Sequence, residues 1–173
     1  MKKEFWSSAA FDGLLLALVC IVSTLLKTSF TIGGGLSILI LIVQLVLTIW
    51  MLLRFMKRYG APQEQYPYGS AYSYGFTVSL LSNIIIMAYL LLHYTLIFPN
   101  AVTDAIVGME SVMESFSSGY DADMSMVETM MQYYHLVVPI SLFIMYTIWA
   151  AIISAILASF AKKETPIFQT EEE

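Results

Sequence analysis

Asp12 is a lone carboxylate inside a long apolar run that extends from about Ser8 to Leu26. An ionised carboxylate within a membrane span is costly, and where one occurs it often carries charge or protons. Asp12 lies 15 residues before Lys27, which is roughly 22 Å of helix at about 1.5 Å per residue. That spacing puts it near one membrane boundary when Lys27 sits near the other. It can then pair with a cation at the same boundary, such as Arg54 at the end of the next apolar run, or reach out to water. Alternatively, it couples proton movement in a small transporter. Boundary positions cost far less than midplane ones, so pairing is the expectation.

Gln44 and Asn83 are uncharged amides deep in two further apolar runs, nine residues before Leu53 and seven after Phe76. At helical rise their depths differ by about 3 Å. An amide pair bonded across helices is therefore expected, which satisfies both groups in lipid; the competing use is to line a polar path with Asp12. His93 and His135 are the only histidines, and they lack the short spacing of a metal motif. His93 is expected as a hydrogen-bonded histidine near the outer end of its helix, and His135 as the end of a loop helix. Cys20, the single cysteine, reads as a small apolar filler, because hydrocarbon surroundings disfavour a thiolate. The run Gly33-Gly34-Gly35 is followed by no Lys-Ser/Thr pair and is read as a hairpin turn rather than a phosphate loop. With no nucleophile–base pair, metal cluster or nucleotide loop, neither enzymatic activity nor a cofactor or metal is expected.

The elements that position these residues follow from composition. Hydrophobic residues make up 58% of the 173-residue chain and charged residues 12%, about half the charge of an ordinary soluble domain. The charges are swept between long apolar runs. A span needs roughly 20 mostly apolar residues, and four stretches qualify: about 8–26, 36–53, 76–98 and 136–160. The fold class expected is an all-α membrane protein, one domain of four transmembrane helices. Lys2 and Lys3, then Arg54, Lys57 and Arg58, then Lys162 and Lys163 fall on one side, with Lys27 alone on the other. Basic loops resist translocation, so both termini are expected in the cytoplasm. Met1-Lys2-Lys3 before an apolar run mimics a secretory signal, but no small-x-small cleavage site follows, and it is read as an uncleaved first span. No basic patch of nucleic-acid-binding type is present.

The outer loop, 99–135, carries Asp104, Glu110, Glu114, Asp121, Asp123 and Glu128 and no lysine or arginine. Asp121-x-Asp123 is a fragment of a calcium loop without the rest of its pattern, so a solvated acidic face is expected. Val102, Ile106, Met109, Met113 and Phe116 recur at helical spacing. Ser125-x-x-Glu128 fits a capping box before a second stripe of Val127, Met130, Met131 and Tyr134. Two amphipathic helices are expected there, against the headgroups or over the bundle. The cytoplasmic loop from Tyr59 to Gly75, rich in Tyr, Gly and Pro, is expected to be irregular. The tail, 164–173, is short and acidic and is expected to be disordered.

The segment Tyr68-Gly69-Ser70-Ala71-Tyr72-Ser73-Tyr74-Gly75-Phe76 opens the third span after a basic stop at Arg54 and Arg58-Tyr59. Asp12-Gly13 lies before it; Pro99, the methionine-rich stretch 124–131, Pro139 and Lys162-Lys163 lie after it. Together these resemble the bacterial membrane family named domain of unknown function 4199 (DUF4199) over nearly the whole chain. The most specific piece is Tyr68, Gly69, Ala71, Tyr72, Gly75 and Phe76. The resemblance implies a four-span protein of the bacterial inner membrane. It carries no established activity and transfers no catalytic residue; a membrane-associated glycosyltransferase is the partner class it points toward.

Span four carries two small-residue ladders, Ala150/Ser154/Ala158 and Ala151/Ala155/Ser159. Spacing of four lets another helix approach closely, either within this chain or in a second copy; the internal use is expected. The functional expectation is a non-catalytic scaffold or accessory subunit of a membrane assembly, embedded in the lipid bilayer. The alternative is a small transporter or channel lined by Asp12, Gln44 and Asn83.

Overall fold

A computed structural model describes residues 2–29, 34–98 and 124–163. They form α1 (Lys2–Ser29), α2 (Gly34–Gly60), α3 (Tyr68–Leu92) with a π-helical turn His93–Ile97 at its end, and α4 (Met124–Ala161). All four contain stretches long and apolar enough to cross a membrane: Lys3–Ser29, Gly35–Gly60, Tyr68–Ile97 and Leu136–Ala161. The all-helical, four-span expectation holds. Among the described residues, strand-like pairing is confined to a single bridge between Tyr66 and Lys163.

Lipid offers no partners for backbone polar groups, so spanning segments close their hydrogen bonds internally as helices. Hydroxyls inside them turn back onto the preceding turn. Ser23 donates to the Val19 carbonyl, Thr24 to Cys20, Thr77 to Ser73 and Thr147 to Phe143.

The central helix is α3, which packs most extensively against α4 and α1. Its buried row, Ala71, Tyr74, Gly75, Val78, Ser79, Ser82, Asn83, Ile86 and Leu90, repeats every three to four residues as one helical face. Against α1 the approach is set by Gly13. A Cβ there would lie 3.0 Å from the Val78 carbonyl oxygen and 3.1 Å from the Leu81 Cβ, and the backbone atom cannot give way. Against α4 the seam is the first small ladder: Ala150, Ser154 and Ala158 are buried, while Ala151 and Ala155 are half-buried and Ser159 is exposed. Leu157, Ala158 and Ala161 join Ala71, Tyr74 and Val78 in one core. By contrast, α2 leaves most of its apolar side chains, including Val43 and Val46, exposed to the surroundings.

Two boundaries differ from the sequence reading. Residues 68–75 are helical, so the irregular loop shrinks to about 61–67. The cause is Pro67: it lacks an N–H and so fits ahead of a helix, and its carbonyl accepts from the Ser70 and Ala71 amides at 3.0 and 3.1 Å. The second loop helix is not a separate element, because α4 runs unbroken from Met124 into the fourth span. No Gly or Pro stands between Met124 and Leu136 to stop it. Pro139 lies inside α4, where a membrane helix tolerates proline because local adjustments satisfy the freed carbonyl. The first loop helix, Gly33 and the tail lie outside the described residues.

The two ladders give contrasting mutants. Ala158→Leu should lower stability in mild detergent by roughly 1–3 kcal/mol through overpacking, whereas Ser159→Leu should melt like wild type. A normally stable Ala158→Leu protein that migrates as a smaller complex would place the seam between copies.

Candidate functional site

Asp12 is completely buried at the basic end of the bundle. Its Oδ2 accepts from the Tyr74 hydroxyl at 2.7 Å, and its Oδ1 is ion-paired to the Arg58 guanidinium. One carboxylate thus ties α1, α2 and α3 together. Exposure is unequal across the pair: the Arg58 side chain is 57% exposed and that of Asp12 0%. The Arg58 guanidinium also lies 5.3 Å from the Phe55 ring.

Aromatic rings wall the site. Tyr59 stacks on Tyr74 with centroids 4.0 Å apart and planes 6° from parallel. Phe5 meets both edge-on, at 5.8 Å and 5.6 Å, and Tyr66 meets Tyr59 at 6.1 Å. Helical spacing supplies them: Phe5 and Asp12 share one face of α1 at i, i+7, as do Phe55, Arg58 and Tyr59 on α2 at i, i+3, i+4. Tyr66 is pinned by paired backbone bonds of 2.8 Å to Lys163, in both directions. It also lies directly over Gly60, where a Cβ would fall 2.3 Å from its ring. Burial, and secondarily the Tyr59 phenol, push the Tyr66 hydroxyl well above its ordinary pKa, so this ring is a neutral strut.

The cation differs from the one expected. Arg54 lies over the Trp50 ring at 5.5 Å, while Arg58, one turn later, reaches Asp12. Long helical side chains lean toward the N-terminus, which brings the later arginine back to the carboxylate's depth. The expected amide pair does not form either. Gln44 is half-buried, and its side chain and that of Thr48 lie beside the Cys20 thiol on α1. Asn83 is buried on α3, and among the described residues its Nδ2 has no hydrogen-bond partner. Among the described residues the buried Ser82 and Ser154 hydroxyls have no partner either.

His93 is fully buried toward the other end of the bundle. Its Nδ1 is 2.9 Å from the Tyr89 hydroxyl, its ring meets Tyr94 and Phe98 at 5.3 and 5.0 Å, and among the described residues its Nε2 has no partner. The acidic loop and the His135 side chain lie outside the described residues. Among the described residues no three His, Cys, Asp or Glu side chains gather as a metal site would require.

The aromatic segment acts as a packing device. The Tyr68 hydroxyl donates to the Ala155 carbonyl at 3.1 Å, Tyr72 stacks with Phe76 at 6.0 Å, Ala71 is buried, and Gly75 sits against the Met56 sulfur. Gly69 faces open space. Sequence reasoning missed Tyr74, a spacer position of this segment, together with Phe5, Tyr59 and Tyr66. The available signal was periodicity: Ala71, Tyr74, Gly75 and Val78 share one helical face, so Tyr74 had to be buried and its hydroxyl needed a partner.

Four apolar spans closed around an ion pair and an aromatic cluster define a multi-pass membrane protein. A family profile described as protein of unknown function (DUF4199) matches residues 12–163, from the buried carboxylate to the Tyr66-paired lysine; the chain belongs to that family. Neither a curated protein nor a solved structure matches.

The unequal exposure of the pair has a consequence for mutants. Asp12→Asn leaves Arg58 free to turn to water, whereas Arg58→Met strands a buried carboxylate, the case that costs about 3–5 kcal/mol. Arg58→Met should therefore melt well below Asp12→Asn in detergent, and the double mutant should recover much of the loss. Tyr74→Phe, which removes one bond to a charged group, should cost about 1.5–3 kcal/mol. Equal melting of the two ion-pair mutants would refute this ordering.

Proposed function

We propose that the protein is a non-catalytic scaffold or accessory subunit that assembles with another membrane protein or with a second copy of itself. The observation that carries this reading is the filling of the bundle between its polar groups. Ala17, Ile86 and Leu90 form a second apolar core, packed with Cys20, Ile85, Tyr89, Tyr94 and Leu142. It stands between the Asp12, Ser82 and Asn83 end and His93. A carrier lined by Asp12, Gln44 and Asn83 needs continuous polar contact through the membrane; here Gln44 turns to Cys20 and apolar side chains occupy the gap. Asp12 then serves as a structural tie. The partner class implied by the family resemblance is a membrane-associated glycosyltransferase.

The orientation follows the positive-inside rule. The Asp12–Arg58 pair and the Tyr66–Lys163 bridge support one shared end for the three basic segments. That end faces the cytoplasm of a bacterial inner membrane, with both termini inside.

Two measurements test these statements. In a Cys20→Ala background, Asp121→Cys should be labelled by an impermeant reagent in intact cells, and the exposed Glu64→Cys only after permeabilisation; the reverse pattern refutes the orientation. Purified protein in sealed vesicles should show no proton flux above empty vesicles under an imposed gradient. A flux abolished by Asp12→Asn, in protein that remains folded, would establish the transporter instead.

A further inference from the structure

Outside the buried pair, α2 carries an amphiphilic stripe that the assembly reading does not use. Val43, Val46, Trp50, Arg54 and Lys57 recur every three to four residues, and all five are exposed. The stripe is apolar toward the middle of the span and basic at its end. At the basic end, Trp50, Leu53, Arg54, Lys57 and Arg58, all on α2, line an open recess of about 450 Å³. Arg54 lies over Trp50, and among the described residues neither Arg54 nor Lys57 is ion-paired with a carboxylate. Arg58 spends part of its charge on Asp12 but remains largely exposed on the recess side.

We propose that this recess binds the phosphate headgroup of an anionic phospholipid whose acyl chains lie along Val43 and Val46. The commitment to a lipid rests on continuity. The cations sit where a spanning helix leaves the hydrocarbon, and the apolar stripe begins one turn away on the same face. Basic clusters at this depth attract anionic headgroups, and a tryptophan at the recess matches the interfacial preference of that ring. A soluble phosphate would satisfy the cations but leave the stripe unused. Because Arg58 contacts both the recess and Asp12, a bound headgroup also adds negative charge beside the cation that closes the α1–α2–α3 junction.

The test uses the purified full-length protein in a neutral detergent, offered phosphatidylglycerol and phosphatidylcholine of identical acyl chains in equal amounts. Native mass spectrometry then counts the lipids retained. Wild type should retain phosphatidylglycerol in preference, and Arg54→Gln/Lys57→Gln should reduce that preference by about tenfold, since each basic side chain near an anionic headgroup contributes severalfold in affinity. Both residues are exposed, so the double variant should keep the wild-type melting temperature in phosphatidylcholine. Raised salt should weaken retention in wild type without any mutation, as expected of exposed charges. Equal retention of the two lipids by wild type, or an undiminished preference in a folded double variant, overturns the proposal. Displacement of the lipid by inorganic phosphate alone assigns the recess to a soluble anion and overturns it too.

Discussion

The burial of one carboxylate constrains the whole basic end of this bundle. A charge removed from water must meet donors or it destabilises the fold, and Asp12 meets them from two other helices, the Tyr74 hydroxyl and the Arg58 guanidinium. The approach of α1 to α3 at Gly13 brings the carboxylate within reach of α3. The stack of Tyr59 on Tyr74 holds α2 against the same helix and keeps Arg58 near. Tyr66 then closes the cluster, held from one side by Gly60 and from the other by the Lys163 backbone. All four helices are thereby fixed at one end through a chain of contacts that begins at Asp12.

Away from that end the cohesion is of another kind. Lipid tails already match apolar side chains, so helices associate through close packing and a few polar contacts rather than through exclusion of water. The seam between α3 and α4 uses small residues, Ala150, Ser154 and Ala158, and the upper core is built from Ala17, Ile86 and Leu90. Among the described residues the His93 ring bonds to Tyr89 of its own helix and so orders the end of α3. The bundle is bolted by charge and aromatic stacking at the basic end and held by shape elsewhere.

The four spans were legible because lipid imposes a long-range requirement on composition: some twenty apolar residues per crossing leave little ambiguity. The shared end of the basic segments was legible for the same reason. Choices between neighbouring residues were not. Arg54 and Arg58 are one turn apart, and only the direction of side chains along α2 selects the second. Gln44 and Asn83 have similar depth by counting, but counting gives no azimuth, and among the described residues the Asn83 Nδ2 meets no partner. Tyr74 was hidden because the aromatic segment reads most naturally as a string of tyrosines and glycines. Its 3.6-residue periodicity becomes visible only once residues 68–75 are taken as helix, and Pro67, which starts that helix, reads equally well as part of a loop.

The arrangement around Asp12 also bears on what the residue can do. A carboxylate that shuttles protons needs access to water on one side and a path on the other, and it must change partners without dismantling its surroundings. Asp12 has no exposed surface, and its two oxygens are held by groups from two different helices. Releasing Arg58, which can turn to water, removes one link between α1 and α2; releasing Tyr74 means disturbing the stack with Tyr59 and the edge contact with Phe5. A change at Asp12 that releases Tyr74 is therefore a change in helix packing. Residues that combine burial, charge and three-helix contact in this way are suited to fixing a conformation, and the recess beside Arg58 lies where a headgroup would act on that conformation from outside.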